Sequence, residues 1–385
     1  MEKITENIYW IGSNDRDLDL FESQYKVLKG MSYNSYLIDD EKIAILDTVD
    51  PRGEKDWKEN LKLALNNRNP DYLIIHHLEP DHSSLIGWIM NEYPNLKLIG
   101  NSKTFSMLPQ FCSIDRLEER KIEVKEGDTF KIGSHELKFF MAPMVHWPEV
   151  MVSYESKEKI LFSADAFGKF GCRDIEEEWT DEARRFFINI VGKYGIQVQG
   201  LLKKALTLDI NTICSLHGPV LTGDLSKYIE KYDKWSKYES EESGILVLCA
   251  SIHGNTKKVA DDFVNKLKLS NTKIEYYDLT RCDMSNAIAK AYQYDRIVLF
   301  ASTYNMGVFP PMEMFLRLLK DKNFQNRKVA LVENGSWAPS AAKTMKNIID
   351  EMKNIDIIEP IVTIITTLDE NSSNQLDELA ANLIK

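Results

Sequence analysis

Residues 72–82 have the sequence Tyr-Leu-Ile-Ile-His-His-Leu-Glu-Pro-Asp-His, an apolar run followed at once by side chains that can bind metal ions. The four candidate ligands are His77, Glu79, Asp81 and His82. Side chains two positions apart on an extended segment point to the same side, so His77 and Glu79 can reach one ion. Asp81 and His82 follow a proline and can serve a second ion. The pattern predicts a strand whose end carries a metal site.

Three further candidate ligands, His146, Asp165 and His217, each lie at the end of a short apolar run. The complete set is too large for one small ion but is about right for two ions that share a carboxylate. A bridging carboxylate, for which Asp165 is the candidate, holds two ions roughly 3.5–4 Å apart. Four of the chain's seven histidines fall on this pattern in order. His76 and His135 are interpreted as structural histidines.

The composition of the chain excludes several classes of function. Its 385 residues are enough for two domains, and the net charge of −11 argues against a nucleic-acid partner. No apolar run approaches the roughly 18 residues of a membrane span, and the first residues show no secretion signal. The five cysteines are widely spaced, as is typical of reduced thiols in a cytoplasmic protein. No Cys-x-x-Cys motif occurs, so a rubredoxin-like or zinc-ribbon module is not expected.

The distribution of strands and helices predicts two domains, at residues 1–240 and 244–385. The first half mixes short apolar runs with helical patterns at 54–66, 83–91, 102–111 and 179–206, which predicts a sheet sandwich covered by helices. A charged, serine-rich stretch at 236–244 is interpreted as the linker. Five apolar strands then alternate with helices, which predicts a doubly wound parallel sheet. These strands are expected at 245–248, 273–276, 296–300, 328–332 and 361–364.

The loop Ser251-Ile-His-Gly-Asn-Thr256 lies between the first of these strands and a helix. Backbone N–H groups and the helix dipole make such a loop an anion site. The loop lacks both the lysine of a nucleoside-triphosphate loop and the three glycines of a dinucleotide fingerprint. It resembles the phosphate loop of flavodoxins, which implies FMN as the cofactor.

Two more loops follow neighbouring strands, at 302–310 and 333–339. Loops at the carboxyl ends of parallel strands are where a doubly wound sheet binds its ligand. The third loop contains less glycine than its flavodoxin counterpart. The predicted FMN-binding residues are Ser251, Ile252, His253, Gly254, Asn255, Thr256, Ser302, Thr303, Tyr304, Asn305, Met306, Gly307, Asn334, Gly335, Ser336 and Trp337.

The candidate metal ligands resemble those of the metallo-β-lactamase superfamily, whose motif is His-x-His-x-Asp-His with a later His, Asp and His. The resemblance implies an αββα sandwich. Glu79 replaces the second histidine of that motif. Four imidazoles and three carboxylates form a harder, more anionic set than a zinc hydrolase site, and such a set suits iron that cycles between ferrous and ferric.

A lactamase-like domain joined to a flavodoxin-like domain resembles the flavodiiron proteins over essentially the whole chain. The resemblance implies that one iron is bound by His77, Glu79 and His146, the other by Asp81, His82 and His217, with Asp165 as the bridge. It implies reduction of dioxygen to water, or of nitric oxide to nitrous oxide, as a detoxifying reaction in the cytoplasm. It also implies an external electron donor such as a rubredoxin or its reductase. The expected assembly is a head-to-tail homodimer, or a dimer of such dimers.

Two other functions stay open on the sequence alone. One is a metal-dependent hydrolase of the metallo-β-lactamase superfamily with a regulatory flavodoxin-like domain, which Glu79 argues against. The other is a flavin-based electron carrier with a vestigial metal domain, which the complete ligand set argues against. The sequence does not distinguish between dioxygen and nitric oxide as the preferred substrate.

Overall fold

The computed structural model describes all residues, 1–385, and divides into two compact units. The N-terminal unit comprises Met1–Phe187 and Ile196–Asp233, and the C-terminal unit comprises Ile188–Gly195 and Lys234–Lys385. No helix in either unit combines the length and the apolar character that a membrane crossing requires.

The N-terminal unit contains two large sheets. Its strands are β1 Glu2–Lys3, β2 Ile8–Trp10, β3 Ser13–Asp15, β4 Leu20–Phe21, β5 Tyr25–Lys26, β6 Met31–Tyr33, β7 Tyr36–Asp39, β8 Ile43–Leu46, β9 Tyr72–Ile74, β10 Lys97–Gly100, β11 Lys121–Glu123, β12 Thr129–Lys131, β13 Glu136–Met141, β14 Met151–Glu155, β15 Ile160–Phe162, β16 Thr212–Cys214 and β17 Leu221–Thr222. The first sheet has the order β1-β2-β7-β8-β9-β10-β11, and the second runs from β12 to β17 in sequence order. Strands β3 with β6, and β4 with β5, form two small ribbons.

One apolar core joins these two sheets. Leu46, Ile74 and Ile99 from the first sheet pack in the same buried cluster as Phe139 and Phe162 from the second. Every one of these side chains is at most 1% exposed. Face-to-face packing of two sheets with side chains between them is a sandwich, as the sequence predicts.

Helices cover the outer faces of this sandwich. They are α1 Glu54–Leu65, α2 Pro80–Ser83, α3 Ile86–Glu92, α4 Ser102–Met107, α5 Leu117–Arg120, α6 Thr180–Phe186, α7 Gly195–Ala205 and α8 Ser226–Ser236. Short 3-10 helices lie at Pro51–Gly53 and Leu108–Gln110. The π-helical turn at Phe187–Val191 and the 3-10 helix at Gly192–Tyr194 fall almost entirely in the segment that groups with the C-terminal unit. Helix α1 buries Trp57, Leu61 and Leu65 at four-residue spacing and ends where Asn66 takes a positive φ of 44°.

Three of the predicted helices are interrupted. The pattern at 83–91 corresponds to the last residue of α2 and to most of α3. Helix α2 starts before the pattern, at Pro80, because proline is favoured at the first position of a helix. Within the pattern at 102–111, the α-helix ends at Met107 and a 3-10 helix follows. The α-helix does not continue because Pro109 has no backbone N–H group to donate the next helical hydrogen bond. The pattern at 179–206 divides into α6, the π and 3-10 turns, and α7.

The C-terminal unit is a doubly wound α/β fold. Its strands are β18 Glu242–Ala250, β19 Ile274–Asp278, β20 Tyr294–Tyr304, β21 Gly307–Val308, β22 Gln325–Asn334 and β23 Lys353–Ile364. Its helices are α9 Asn255–Leu267, α10 Met284–Gln293, α11 Pro310–Asp321, α12 Ala341–Ile349 and α13 Glu370–Ile384. The five long strands are parallel in the order β19-β18-β20-β22-β23, which is the flavodoxin-like order 2-1-3-4-5.

This sheet confirms the predicted five-stranded architecture and positions the loops at its carboxyl edge. Helices α9 and α13 bury Phe263, Leu267, Leu379 and Leu383 against one face. One predicted loop differs: residues 302–310 begin as a hairpin, in which β21 pairs antiparallel with the end of β20.

A candidate two-metal centre and a candidate flavin cavity

The first group of candidate ligands converges on one point in the N-terminal unit. The Nε2 atom of His77 lies 3.2 Å from Glu79 Oε2, and the Nε2 atom of His146 lies 3.0 Å from the same oxygen. His146 Nε2 also lies 3.1 Å from Asp165 Oδ2. All four ligand atoms fall within 4.8 Å of one another, which is a spacing suited to a single metal ion.

A second group lies beside the first. His82 Nε2 is 3.1 Å from His217 Nε2, and both nitrogens are 3.3 Å from Asp81 Oδ2. Asp165 Oδ1 lies 3.3 Å from His82 Nε2, whereas its other oxygen faces the first group. Asp165 therefore presents one oxygen to each group, which is the arrangement that a bridging carboxylate needs.

The donor atoms of the two groups fit metal ions. Both carboxylate oxygens of Asp81, and Oδ1 of Asp165, are buried and have no hydrogen-bond donor in the protein. Buried carboxylates are unfavourable unless a hydrogen bond or a positive charge compensates them. Metal cations bound between these oxygens and the neighbouring imidazole nitrogens would supply that positive charge.

The buried carboxylates also make the site favourable for positive charge, as the pKa values of its histidines show. Burial acts to lower the pKa of His146, but the carboxylates of Asp165 and Glu79 outweigh it and raise the pKa to about 9. Burial likewise opposes protonation of His77, whose pKa is nevertheless raised by Glu149 and Glu79. Without metal, the imidazoles of His77 and His146 hold protons at neutral pH, and metal ions must replace those protons.

The secondary structure places these ligands from two sides. His77, Glu79, Asp81 and His82 lie on the turn between β9 and α2 and within α2, at the end of the first sheet. The other three lie in loops that follow strands of the second sheet: His146 after β13, Asp165 after β15 and His217 after β16. The site therefore lies at one end of the sandwich and depends on both sheets.

Sequence reasoning missed the groups that orient two of the imidazoles. His77 Nδ1 lies 2.8 Å from Glu149 Oε1, which also accepts the backbone N–H of Leu78 at 2.9 Å. His217 Nδ1 lies 2.8 Å from the carbonyl oxygen of Ser32. Because both partners can only accept, Nδ1 carries the proton and Nε2 is left for the metal. The one sequence signal for Glu149 is an acidic residue at the start of the apolar run 150–152.

An aromatic shell surrounds His217. The rings of Phe21 and Phe186 lie 5.4 Å from its imidazole, and that of Tyr33 lies 6.0 Å away. All three aromatic side chains are buried. They keep water away from this side of the site and so strengthen its electrostatic interactions.

The two histidines interpreted as structural do not point into either ligand group. His135 Nδ1 lies 2.5 Å from Asp40 Oδ2. His76 lies between Asp47 and Ser153, at 2.6 Å and 2.8 Å from their side-chain oxygens.

A cavity of about 500 Å³ opens at the carboxyl edge of the C-terminal sheet. Its size suits a mononucleotide flavin. Its lining residues are Ser251, Ile252, His253, Asn255, Thr256, Ser302, Thr303, Asn305, Met306, Asn334, Gly335, Ser336, Trp337, Ala338 and Thr366. They come from the three loops that the sequence predicts and from Thr366, just after β23.

The phosphate loop has the local structure that an anion requires. Gly254 has a φ of +94° and caps α9, and its N–H donates to Ser251 Oγ at 3.1 Å. Thr256 Oγ1 lies 2.9 Å from Ser302 Oγ, so the first two loops meet at hydroxyl groups. In the third loop, a Cβ on Gly335 would approach Thr303 Oγ1 to 3.1 Å, and this close approach favours glycine.

Three of the predicted flavin residues do not line the cavity: Gly254, Tyr304 and Gly307. Gly254 acts through the backbone at the helix N-terminus, whereas Tyr304 and Gly307 pair with each other in the β20–β21 hairpin. Two lining residues were not predicted, Ala338 and Thr366. Thr366 exchanges backbone-to-side-chain hydrogen bonds with Asn334, and its position just after the fifth strand is the signal that could have indicated it.

Two family models match the chain, one for each unit. Residues 31–218 match the ODP family beta lactamase, and residues 247–375 match flavodoxin. Among curated relatives, the anaerobic nitric oxide reductase flavorubredoxin of Pectobacterium atrosepticum is 28% identical over 348 residues, covering 87% of this chain and 68% of the relative. The same-named protein of Vibrio vulnificus is also 28% identical, covering 87% and 70%.

Solved structures have the same architecture. Rubredoxin oxygen:oxidoreductase from Desulfovibrio gigas superposes with a TM-score of 0.92 at 22% identity, covering 99% of this chain and 97% of the other. The flavodiiron protein of Giardia intestinalis gives a TM-score of 0.86 at 22% identity, covering 100% and 95%.

The fold and the two sites define a flavoprotein oxidoreductase with a metal-binding lactamase-like domain. The chain carries an ODP-family lactamase-like domain followed by a flavodoxin domain, and over most of its length it is similar to proteins named flavorubredoxin and flavodiiron protein. The flavodoxin match implies FMN, the similar proteins imply a non-haem diiron centre, as predicted, and the side chains present fit both.

Proposed function

We propose that the protein reduces dioxygen to water, nitric oxide to nitrous oxide, or both, at a diiron centre supplied with electrons through FMN. The observation that carries the proposal is the pair of ligand groups that share Asp165, with Glu79 as a carboxylate in the first group. The relatives named as nitric oxide reductases and as an oxygen oxidoreductase support the same reaction class.

We assign His77, Glu79 and His146 to one iron. When bound, the irons and FMN would supply the redox chemistry, and the protein residues would bind, orient and shield them. The Glu79 carboxylate adds negative charge where a lactamase motif has a neutral imidazole, and this charge favours ferric iron. Glu149 holds the His77 imidazole with Nε2 toward the metal.

Asp81, His82 and His217 are assigned to the other iron, with Asp165 bridging. The backbone carbonyl of Ser32 fixes the orientation of His217, and the aromatic shell excludes water beside it. Dioxygen and nitric oxide are small and uncharged, so a shielded pocket of this kind can admit them without a charged binding group.

The test begins with metal content. Protein produced with iron and purified anaerobically should contain near two irons and one FMN per chain, and after reduction it should consume dioxygen or nitric oxide over many turnovers. The variant Asp165→Ala is the matched control, since it should keep FMN and lose both iron and turnover. Two zinc ions with no gas consumption would contradict the proposal and favour the hydrolase.

The electron donor is proposed to be a separate cytoplasmic protein of the rubredoxin type or its reductase. Reduced rubredoxin should reduce the bound FMN in a stopped-flow experiment. Reduction by rubredoxin no faster than by a buffer-only control would exclude it as the donor.

The proposed assembly is a head-to-tail dimer, in which the FMN of one subunit serves the irons of the other. Complementation tests it. Asp165→Ala chains, which lack a complete metal centre, should regain activity when mixed and refolded with chains carrying Ser251→Ala and Thr256→Ala, which lack tight FMN binding. A mixture with no more activity than the separate variants would contradict this arrangement.

A further inference from the structure

His76 makes a buried polar bridge beside the first ligand group. Its Nδ1 lies 2.6 Å from Asp47 Oδ2, and its Nε2 lies 2.8 Å from Ser153 Oγ. The carboxylate can only accept, so Nδ1 donates to Asp47; in the neutral ring Nε2 then accepts from the Ser153 hydroxyl. The three side chains are at most 2% exposed. The bridge is therefore fully satisfied and shielded from water.

The bridge connects the two sheets of the sandwich. His76 and Asp47 follow β9 and β8 in the first sheet, whereas Ser153 lies in β14 of the second. The backbone adds a second tie at the same point, because the N–H of Met151 donates to the carbonyl oxygen of His76 at 3.1 Å. The apolar core between the sheets attracts them without fixing their direction.

The position of the bridge matters because the candidate ligands come from both sheets. His77 and Glu79 follow the first sheet, and His146 and Asp165 follow the second. Within the first group, atoms from opposite sheets lie 3.0 Å apart for Glu79 and His146, and 3.7 Å apart for His77 and Asp165. A shift of one sheet against the other would separate these atoms directly.

Asp47 extends the bridge to the ligand itself. Its Oδ1 accepts the backbone N–H of His76 at 2.7 Å and that of His77 at 3.3 Å. The same carboxylate therefore holds the imidazole of His76 and the main chain that carries the first ligand.

We propose that the His76–Ser153 bridge is a positioning device that sets the first metal site by fixing the two sheets at the register the ligands require. The inference rests on the proposed two-metal centre. His76 and Ser153 act through His77, Glu79, His146 and Asp165 and touch no metal themselves. Removing the bridge should weaken the first site more than the second, because Asp47 holds both the His76 imidazole and the main chain of His77, a ligand of the first site.

The experiment compares Ser153→Ala and His76→Asn with the control His135→Asn. His135 is also buried and also paired with an aspartate, Asp40, but contacts none of the candidate ligands. The metal-free proteins are titrated anaerobically with Fe²⁺ against a chelator, and then with Co²⁺, whose visible spectrum reports ligand geometry. Urea unfolding of each variant measures the general loss of stability.

The wild type is expected to bind metal in two steps. In both bridge variants, the affinity of one step should fall by about ten-fold or more, which is the lower end of the loss caused by removing a group that supports a metal ligand. The Co²⁺ spectrum of that step should change. His135→Asn should lose stability and keep both steps. Bridge variants that bind both ions as the wild type does, or a control that loses one step equally, would overturn the inference. A wild type without two binding steps would instead overturn the proposed two-metal function.

Discussion

Replacing Glu149 with glutamine tests the orientation of the first metal site with a minimal change of shape. Glu149 is fully buried, and its Oε1 accepts from both His77 Nδ1 and Leu78 N, at 2.8 Å and 2.9 Å. Its Oε2 is buried without a partner. The carbonyl oxygen of glutamine can take over both hydrogen bonds, so the substitution mainly removes the negative charge behind the imidazole.

The loss of that charge should weaken metal binding measurably. A charge-assisted hydrogen bond is roughly twice as strong as a neutral one, and the charge raises the basicity of the ligating nitrogen. Burial acts to raise the pKa of Glu149, but the hydrogen bond and the charge of His77, together with the hydrogen bond from Leu78, outweigh it and hold the pKa below its ordinary value, so the group is ionised. Changes of this kind cost about 10- to 100-fold in metal affinity, or about 1.4–2.7 kcal/mol.

The assay is competition between the protein and a chelator of known affinity for Fe²⁺, under anaerobic conditions. Glu155→Gln is the control, because Glu155 is equally buried and its oxygens accept from the N–H groups of Lys157 and Glu158 instead of a ligand. Affinity that falls for Glu149→Gln alone supports the argument. Equal affinity in the wild type and Glu149→Gln, or an equal fall in the control, would refute it.

Four further outcomes are expected. Asp165→Ala should lose iron but retain one FMN per chain, and normal iron content by elemental analysis would contradict its bridging role. The double variant Ser251→Ala with Thr256→Ala should weaken FMN binding but not riboflavin binding in fluorescence titrations; equal losses would exclude the phosphate loop. Glu79→His should favour zinc over iron and lower gas turnover, whereas unchanged metal content, diiron potential and turnover would mean that Glu79 is not a ligand. Because metal must displace protons from groups such as His146, whose metal-free pKa is about 9, affinity should rise with pH between about 6.5 and about 9; calorimetry in two buffers that shows no proton release would contradict this.

The architecture was accessible from the sequence because periodicity and strand-end chemistry are local signals. The apolar cores of the parallel strands were predicted, but every one of these strands is longer than its apolar run. The run at 245–248, for example, lies within β18, Glu242–Ala250. Its first residues pair through backbone groups, as Glu242 does with Tyr294, and backbone pairing leaves no apolar signature in the sequence.

The sequence predicted some residues of the candidate site more readily than others, because only residues close together in the chain give a local signal. His77, Glu79, Asp81 and His82 lie within six residues, so local spacing alone indicates that they share a site. His146, Asp165 and His217 lie far apart in the sequence; their positions at the ends of apolar runs made them candidates, and only the resemblance to a known motif assigned His146 and His217 to separate ions. Glu149 belongs to no motif, and its role depends on where β14 and the turn after β9 meet, which only the tertiary structure shows.

The dependence of the site on both sheets explains why an apolar sandwich contains so many buried polar groups at one end. Ligands from one sheet alone could be held by a single turn, as His77 and Glu79 are. Ligands from two sheets require that the sheets themselves be fixed to within about 0.5 Å. Close-packed apolar side chains do not fix them so closely, because they can be exchanged for others of similar volume with little loss of stability. Hydrogen bonds with defined direction, such as those of Glu149 to His77 and of Ser153 to His76, discriminate between registers that apolar packing tolerates. Variants in these polar groups should therefore affect metal affinity more than global stability, whereas truncation of a core residue such as Phe139 should do the reverse.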